Sequence, residues 1–521
     1  MDQLSKRWSV VILIALCCVI FCSRLHTYDE PLERDLTTYA VIAHEMLNGK
    51  NLYSDLWDHK PPAIHVTYVA AELIAGYGRN SIFLMNVLAA IATLFVCYSA
   101  GSAAGEGRVG GCFAAIFWTL ISGDLALEAN QPNTEVFMNA FLAAAFTLLV
   151  RAEKGNLGTG RAVIVGVLFA VASLYKQVVV VQPALLAIAY VACCQSQLRK
   201  KAFVDVLIIA ATGIGIWGFV FGYFFARGSG AAFTEAVFGY NRYYSSNQSH
   251  QDLHNIQGWM ALSPEVFLVV LPIAALAAIG MVRGVVARQR HWILLLAYII
   301  ASEIAILLPG WPFPHYYQLL LPPLVIGAGW SIQLLRRSLP ERWSFASYAT
   351  GALAAGAIIV IQVPNYLIPA EDWSVEKYGN VFVETEQLAG KIDGLLSSNE
   401  TFYEWGSESG LYFATRRRPP SGIIFAFPML GGPLKEKLSR QLVEDLTQAK
   451  PDLIVADIAT MTLTGREHTV LNWFQKNYRT FARTDNFLLF ARKGSRLDNR
   501  SIATDRSDNL SAFSAQSREP K

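Results

Sequence analysis

Asp35 and Tyr39, four residues apart, open the most densely functionalised stretch of the chain, Arg34 to Pro62 (RDLTTYAVIAHEMLNGKNLYSDLWDHKPP). Residues at i and i+4 share a helix face, so a helix running to about Leu47 presents both side chains together. A carboxylate near cations, but not tightly paired with one, can take a proton from a hydroxyl. Asp35 also stands directly ahead of an apolar-periodic segment, and on local sequence the N-cap reading leads. The two roles are compatible, because a capping carboxylate is a fixed one. Further along, Asp58-His59-Lys60-Pro61-Pro62 sets a lysine at a helix start, where an ammonium and free N–H groups attract a phosphate. A lysine snorkelling to the headgroup level explains it equally well.

Other polar groups punctuate otherwise apolar segments. Asn133-Thr134-Glu135 begins one, and Glu135 in a first helical turn favours the positive end of the dipole. Lys176-Gln177 sits in a turn with no other charge, and His315 and Tyr316 lie in Trp311-Pro312-Phe313-Pro314-His315-Tyr316-Tyr317. An interfacial aromatic belt accounts for the tyrosines but not for the histidine. Tyr240-Asn241-Arg242-Tyr243-Tyr244 suits sugar stacking or interfacial packing. His250 and His254 have the spacing of a metal pair but no evident third ligand.

The elements that must position these groups are membrane helices. Hydrophobic residues make up 53% of the chain and charged residues 16%, against roughly 25% charge in soluble domains. A net charge of +3 implies no nucleic-acid partner. The cysteines (Cys17, Cys18, Cys22, Cys97, Cys112, Cys193, Cys194) lie in or beside apolar segments and read as small buried hydrophobes. Trp8 to Cys22 follows Lys6 and Arg7 and lacks a small-residue cleavage site, so it reads as an uncleaved first span. Further spans are expected near 81–104, 109–126, 134–152, 161–175, 178–194, 203–226, 263–282, 292–308, 316–335 and 344–363, about eleven in all. Connections rich in arginine and lysine alternate with connections at 127–133, 176–177 and 309–315 whose only basic residue is Lys176. That bias places the N-terminus and the basic loops in the cytoplasm. Ala63 to Gly76 is short for a span, and counting it as one would invert every later loop. It is expected to stay outside as a juxtamembrane helix opened by Pro61 and Pro62.

Beyond residue 370 the composition turns polar and mixed. In 371–495, β-favouring runs (Thr401 to Trp405, Leu453 to Val455, Phe487 to Ala491) alternate with helical stretches near 431–449 and 465–476, which predicts a small α/β domain. Residues 496–521 hold too little apolar content to pack and read as a disordered tail.

Taken in order, Asp-x3-Tyr-Ala-x-Ile-Ala at 35–43, Lys-Pro-Pro at 60–62, Asn-Thr-Glu at 133–135, Lys-Gln at 176–177 and Pro-His-Tyr-Tyr at 314–317 resemble a known family. It is the bacterial glycosyltransferases of the protein O-mannosyltransferase and aminoarabinose-transferase type, with the GT-C fold (family 39-like). The resemblance covers roughly residues 1–370, and Phe402-Tyr403-Glu404-Trp405-Gly406 is similar to a domain often appended in bacterial members. It implies a mainly α, polytopic membrane enzyme of the cytoplasmic (inner) membrane, acting in cell-envelope glycosylation. Such an enzyme would move a monosaccharide from a polyprenyl-phosphate sugar to a glycan, lipid or protein hydroxyl, with inversion.

The implied roles are Asp35 as catalytic base and Lys60, Lys176 and His315 as donor-phosphate ligands. Tyr39, Asp58, Glu135, Tyr243 and Tyr316 would bind substrate or support the site. The sequence requires no cofactor; some relatives use a divalent metal, whose ligands are not identified here. Many members have a second acidic residue after the aspartate, where this chain has Leu36; Asp29-Glu30 is the second choice for the base. The alternatives are a lipid-linked glycan flippase or transporter, which would place its polar groups near the midplane of related halves, and a polysaccharide ligase or polymerase. The motifs address the lipid phosphate and do not specify the donor sugar or the acceptor. A reporter fused after Val363 is expected to be extracytoplasmic; a cytoplasmic reporter would overturn this topology.

Overall fold

The computed structural model describes residues 6–103, 107–152, 156–246, 264–310, 313–465 and 468–503. Among them, eight helices have the length and apolarity to cross a membrane: Lys6–His26, Arg79–Gly101, Thr134–Arg151, Ser196–Ala226, Val266–Val286, Arg290–Leu307, Pro314–Ser338 and Glu341–Leu367. Gly107–Ile121, Thr159–Ser173 and Gln177–Ala192 are shorter apolar helices at three further expected spans. The chain is a polytopic, mainly helical membrane protein. Outward-facing residues of these helices are large and apolar, for example Ile214, Phe219 and Val360, as a lipid-facing surface requires.

The first six helices are α1 (Lys6–His26), α2 (Arg34–Leu47), α3 (Ala63–Ala75), α4 (Arg79–Gly101), α5 (Gly107–Ile121) and α6 (Thr134–Arg151). The short helix expected after Pro61-Pro62 is α3, which ends at Gly76 with φ +80°. Small residues set the closest helix approaches. A Cβ on Gly329, in the helix Leu321–Ser338, would stand 2.3 Å from the Gly110 carbonyl oxygen of α5. One on Gly110 would stand 2.8 Å from the Gly101 carbonyl oxygen of α4.

The carboxyl-terminal domain holds a four-stranded sheet of order β1-β2-β4-β3, with β1 (Phe402–Trp405), β2 (Leu453–Asp457), β3 (Tyr478–Arg483) and β4 (Phe487–Arg492). β1 and β2 are parallel; the remaining pairs are antiparallel. Helices Lys435–Ala449 and Thr469–Asn477 lie where helical stretches were expected. β3 was not anticipated, because its broken alternation carries a bulge between Thr480 and Ala482. The expected tail is corrected at its start. Arg496–Ala503 is a helix that buries Leu497, with the Gly494 N–H donating to Asp498 at 2.8 Å and Arg496 bonded to Glu400. Residues 504–521, the His250 and His254 pair and Trp311-Pro312 lie outside the described residues.

α2 lies between the two bodies. Leu36, Tyr39, Ala40 and Ala43 join the core of the membrane helices, while Val41 and Ile42 join that of the carboxyl-terminal domain. Replacing Gly329 by Val is expected to cost about 1–3 kcal/mol through overpacking and to lower the melting temperature in detergent. Gly356→Ala, where an added Cβ meets nothing within 4 Å, should leave it unchanged.

Candidate active site

A cavity of about 440 Å³ opens where the first loop, the membrane helices and the carboxyl-terminal domain meet. The first loop contributes Glu33, Arg34, Asp35, Tyr39, Asp58, His59 and Lys60; the membrane helices and their connections contribute Glu128, His315 and Tyr316. The opposite wall is aromatic, with Phe382, Phe425 and Phe427 from the carboxyl-terminal domain.

Glu33, not Asp35, caps α2: its Oε2 accepts from the Asp35 N–H at 3.2 Å. A carboxylate two residues earlier takes the capping role, so the Asp35 side chain is free for other partners. The Tyr39 hydroxyl lies 3.3 Å from both Asp35 Oδ2 and Asn133 Oδ1, and its single proton serves one at a time. Asn133 Nδ2 donates to Glu33 Oε1 at 3.2 Å and to Asp35 Oδ2 at 3.5 Å. Asn133 also caps α6, accepting from the Thr134 N–H at 2.8 Å. The aspartate is thus fixed against two helix starts. Burial pushes the Glu33 carboxyl well above the usual range, helped by Asp35 and Glu128 and opposed by the Asp35 N–H and Arg34.

The Asp58-His59-Lys60 turn is rigid. Burial resists ionisation of Asp58, but His65 at 3.0 Å, His59 and Lys60 overcome it and hold the carboxyl at about 2. Burial, assisted by Lys60, lowers His59 to about 4 against the pull of Asp58, so this imidazole is neutral near pH 7. The Lys60 N–H donates to Asp58 Oδ1 at 3.2 Å and its carbonyl accepts from the Tyr53 hydroxyl at 2.8 Å. Among the described residues no ion pair engages the Lys60 ammonium.

Lys176 differs. It is buried, 2.9 Å from Glu135 Oε1, with its ammonium 3.1 Å from the centre of the Tyr316 ring. The Thr134 hydroxyl completes Glu135 at 2.8 Å. Glu135 and Lys176 therefore lie behind the cavity wall that Tyr316 presents. His315 lines the cavity, with Nδ1 2.7 Å from Glu128 Oε2, which leaves Nε2 for a ligand.

The structure thus gathers Asp35, Tyr39, Asp58, Lys60, His315 and Tyr316 on one cavity, with Glu135 and Lys176 beneath it. Tyr243 is not on its wall: its ring packs against Gly432, where a Cβ would lie 2.4 Å from it, and Tyr244 faces the cavity instead. Glu30 is committed elsewhere, paired with Lys377 and bonded to Asn130 and Gln131 at its carboxylate. Glu33, Arg34, Glu128 and the phenylalanines escaped the sequence reading. For Glu33 the signal was present, an acidic residue two before Asp35. Glu128 sits at φ +50° in a loop noted only for its lack of basic residues. Among the described residues no three His, Cys, Asp or Glu side chains are placed to hold a metal ion.

No protein-family model matches the chain, and no curated protein matches it significantly. Solved structures do. ArnT from Cupriavidus metallidurans bound to undecaprenyl phosphate superposes with a TM-score of 0.58 at 15% identity, over 94% of this chain and 99% of that one. Its apo state gives 0.57 at 14% identity, over 98% and 99%. The archaeal oligosaccharyltransferase AglB from Archaeoglobus fulgidus, in complex with an inhibitory peptide and a dolichol-phosphate, gives 0.50 at 12% identity, over 95% and 77%. The likeness spans the membrane helices and the carboxyl-terminal domain together, and the fold is that of the GT-C glycosyltransferases.

Proposed function

We propose that this chain is a membrane glycosyltransferase that moves a monosaccharide from a polyprenyl phosphate to an acceptor hydroxyl, on the outer face of a bacterial cytoplasmic membrane. The observation that carries the reading is the shared cavity: a fixed carboxylate, Asp35, and an ammonium, Lys60, that enters no ion pair among the described residues, line one space among helices suited to a membrane. Structures of the same fold hold undecaprenyl phosphate and dolichol-phosphate, which supports a lipid phosphate as donor group.

In this reading Asp35 takes the acceptor's hydroxyl proton while the oxygen attacks the anomeric carbon. The bond from that carbon to the phosphate oxygen breaks, and its electron pair leaves on the polyprenyl phosphate. Displacement in one step inverts the anomeric centre. The Lys60 ammonium, with a hydrogen bond from His315, meets the growing phosphate charge, and a fixed cation aimed at the leaving group is effective there. Tyr39 and Asn133 hold Asp35 in place, while Glu135 neutralises Lys176 and sets it under Tyr316. These steps require no divalent ion.

Purified membranes should transfer sugar from one member of a panel of polyprenyl-phosphate hexoses, pentoses, uronic acids and aminosugars to a crude acceptor extract. Asp35→Asn, expressed at the wild-type level, is expected to lose about 10³-fold or more of the rate, and Lys60→Ala at least about 10-fold. Equal transfer by Asp35→Asn would remove it as the base, and transfer only from a lipid-linked oligosaccharide would favour a ligase.

Lys176→Met should act mainly on folding. Leaving Glu135 charged and unpaired costs about 3–5 kcal/mol, so the melting temperature falls, and Glu135→Gln in the same chain should restore most of it. A large rise in donor KM with an unchanged melting temperature would instead make Lys176 a phosphate ligand.

A further inference from the structure

The residues on either side of Asp35 are held by the carboxyl-terminal domain. The Arg34 guanidinium lies 2.8 Å from Glu408 Oε1 and 5.5 Å above the centre of the Phe382 ring. Ser409 Oγ donates to the Arg34 carbonyl at 3.1 Å and lies 2.8 Å from the hydroxyls of both Thr37 and Thr38. Ser409 Oγ thus has three polar partners at hydrogen-bond distance. A single buried serine therefore ties three residues in the first turn of α2.

The segment bearing these two side chains is itself rigid. Gly406 to Ser409 links β1 to the helix Gly410–Thr415 at the carboxyl end of the parallel β1/β2 pair. Glu408 and Ser409 are buried. A Cβ at Gly406 would stand 2.1 Å from Glu404 Oε1 and 2.7 Å from the Asp457 side chain, and the Ala426 N–H donates to the Gly406 carbonyl at 2.6 Å. Nothing here has room to yield. Without Glu408, the guanidinium of Arg34 would be free to turn onto the adjacent Asp35 and neutralise it.

We propose that Glu408 and Ser409 are positioning residues for Asp35, bracing the first turn of α2 and keeping Arg34 off the carboxylate, so that the carboxyl-terminal domain is a working part of the active site. This rests on Asp35 being the base. The brace acts on the reacting geometry more than on donor binding, because Lys60 and His315 are held by other elements. Small displacements of a reacting group are costly in rate.

The test uses the full-length protein in liposomes, with the undecaprenyl-phosphate hexose and pentose donors of the panel above. The variants are Glu408→Gln, Ser409→Ala, Asp35→Asn and, as control, Arg418→Ala. Arg418 ties the same domain to Glu45 at the far end of α2, where Lys50 at 3.0 Å keeps Glu45 paired. Expected are kcat losses of about 10-fold or more for Glu408→Gln and Ser409→Ala, with donor KM within about 2-fold in protein that is still folded, and a fall in melting temperature of the size a lost buried hydrogen bond produces. Arg418→Ala should keep the wild-type kcat. Wild-type kcat in both brace variants, or an equal loss in Arg418→Ala, overturns the brace while leaving Asp35 as base. Wild-type kcat in Asp35→Asn overturns the base assignment, and the brace with it.

Discussion

The site depends on the burial of a charged helix between two apolar bodies. α2 gives Leu36, Tyr39, Ala40 and Ala43 to the membrane helices and Val41 and Ile42 to the carboxyl-terminal domain, so its ionisable groups are enclosed with it. An enclosed charge is tolerated only when paired and hydrogen-bonded, and the seam is built accordingly. Glu45, fully buried, is gripped by Arg418 Nε and Nη2, each at 2.7 Å, and by Lys50. Glu30 is saturated by Lys377, Asn130 and Gln131. Among the cavity-lining groups described, Asp35 is held by long bonds to Tyr39 and Asn133, and the Lys60 ammonium enters no ion pair.

The two lysines show why residue type alone does not assign a role. Lys60 and Lys176 both lie in connections beside apolar helices, and both fit a phosphate. The fold separates them. Lys176 faces Glu135 and the Tyr316 ring, and its charge is used internally. Lys60 is pinned through its backbone by Asp58 and Tyr53, and its ammonium stays available at the cavity wall.

Much of the architecture was legible because it is written in local sequence. Long apolar segments, a Pro-Pro start and short β-favouring runs locate the helices, α3 and three of the four strands. The i, i+4 spacing of Asp35 and Tyr39 placed a real contact. What was hidden depends on segments far apart in the chain. Asp35 looked like a cap, and only the geometry of Glu33 shows that the position was already filled. Phe425 and Phe427 carry no local sign of facing a cavity, and Ser409 is an ordinary serine until it meets Arg34, 375 positions earlier. The choice between Tyr243 and Tyr244 turns on one residue of helical phase, which aromatic composition does not encode.

That separation gives the seam a direction in time. At roughly 5–20 residues per second of synthesis, α2 is made tens of seconds before the domain that covers it. During that interval the bundle can insert and close around Tyr39 and Ala43, while Val41 and Ile42 remain uncovered. Gly422, whose Cβ would lie 1.6 Å from the Asp55 carbonyl oxygen, then seats the late-arriving domain on a loop that is already in place. A nascent chain halted before β2 and β4 carries the acidic side of the cavity but lacks the sheet that supports its opposite wall. Completion of the site thus waits on synthesis of the sheet that follows it.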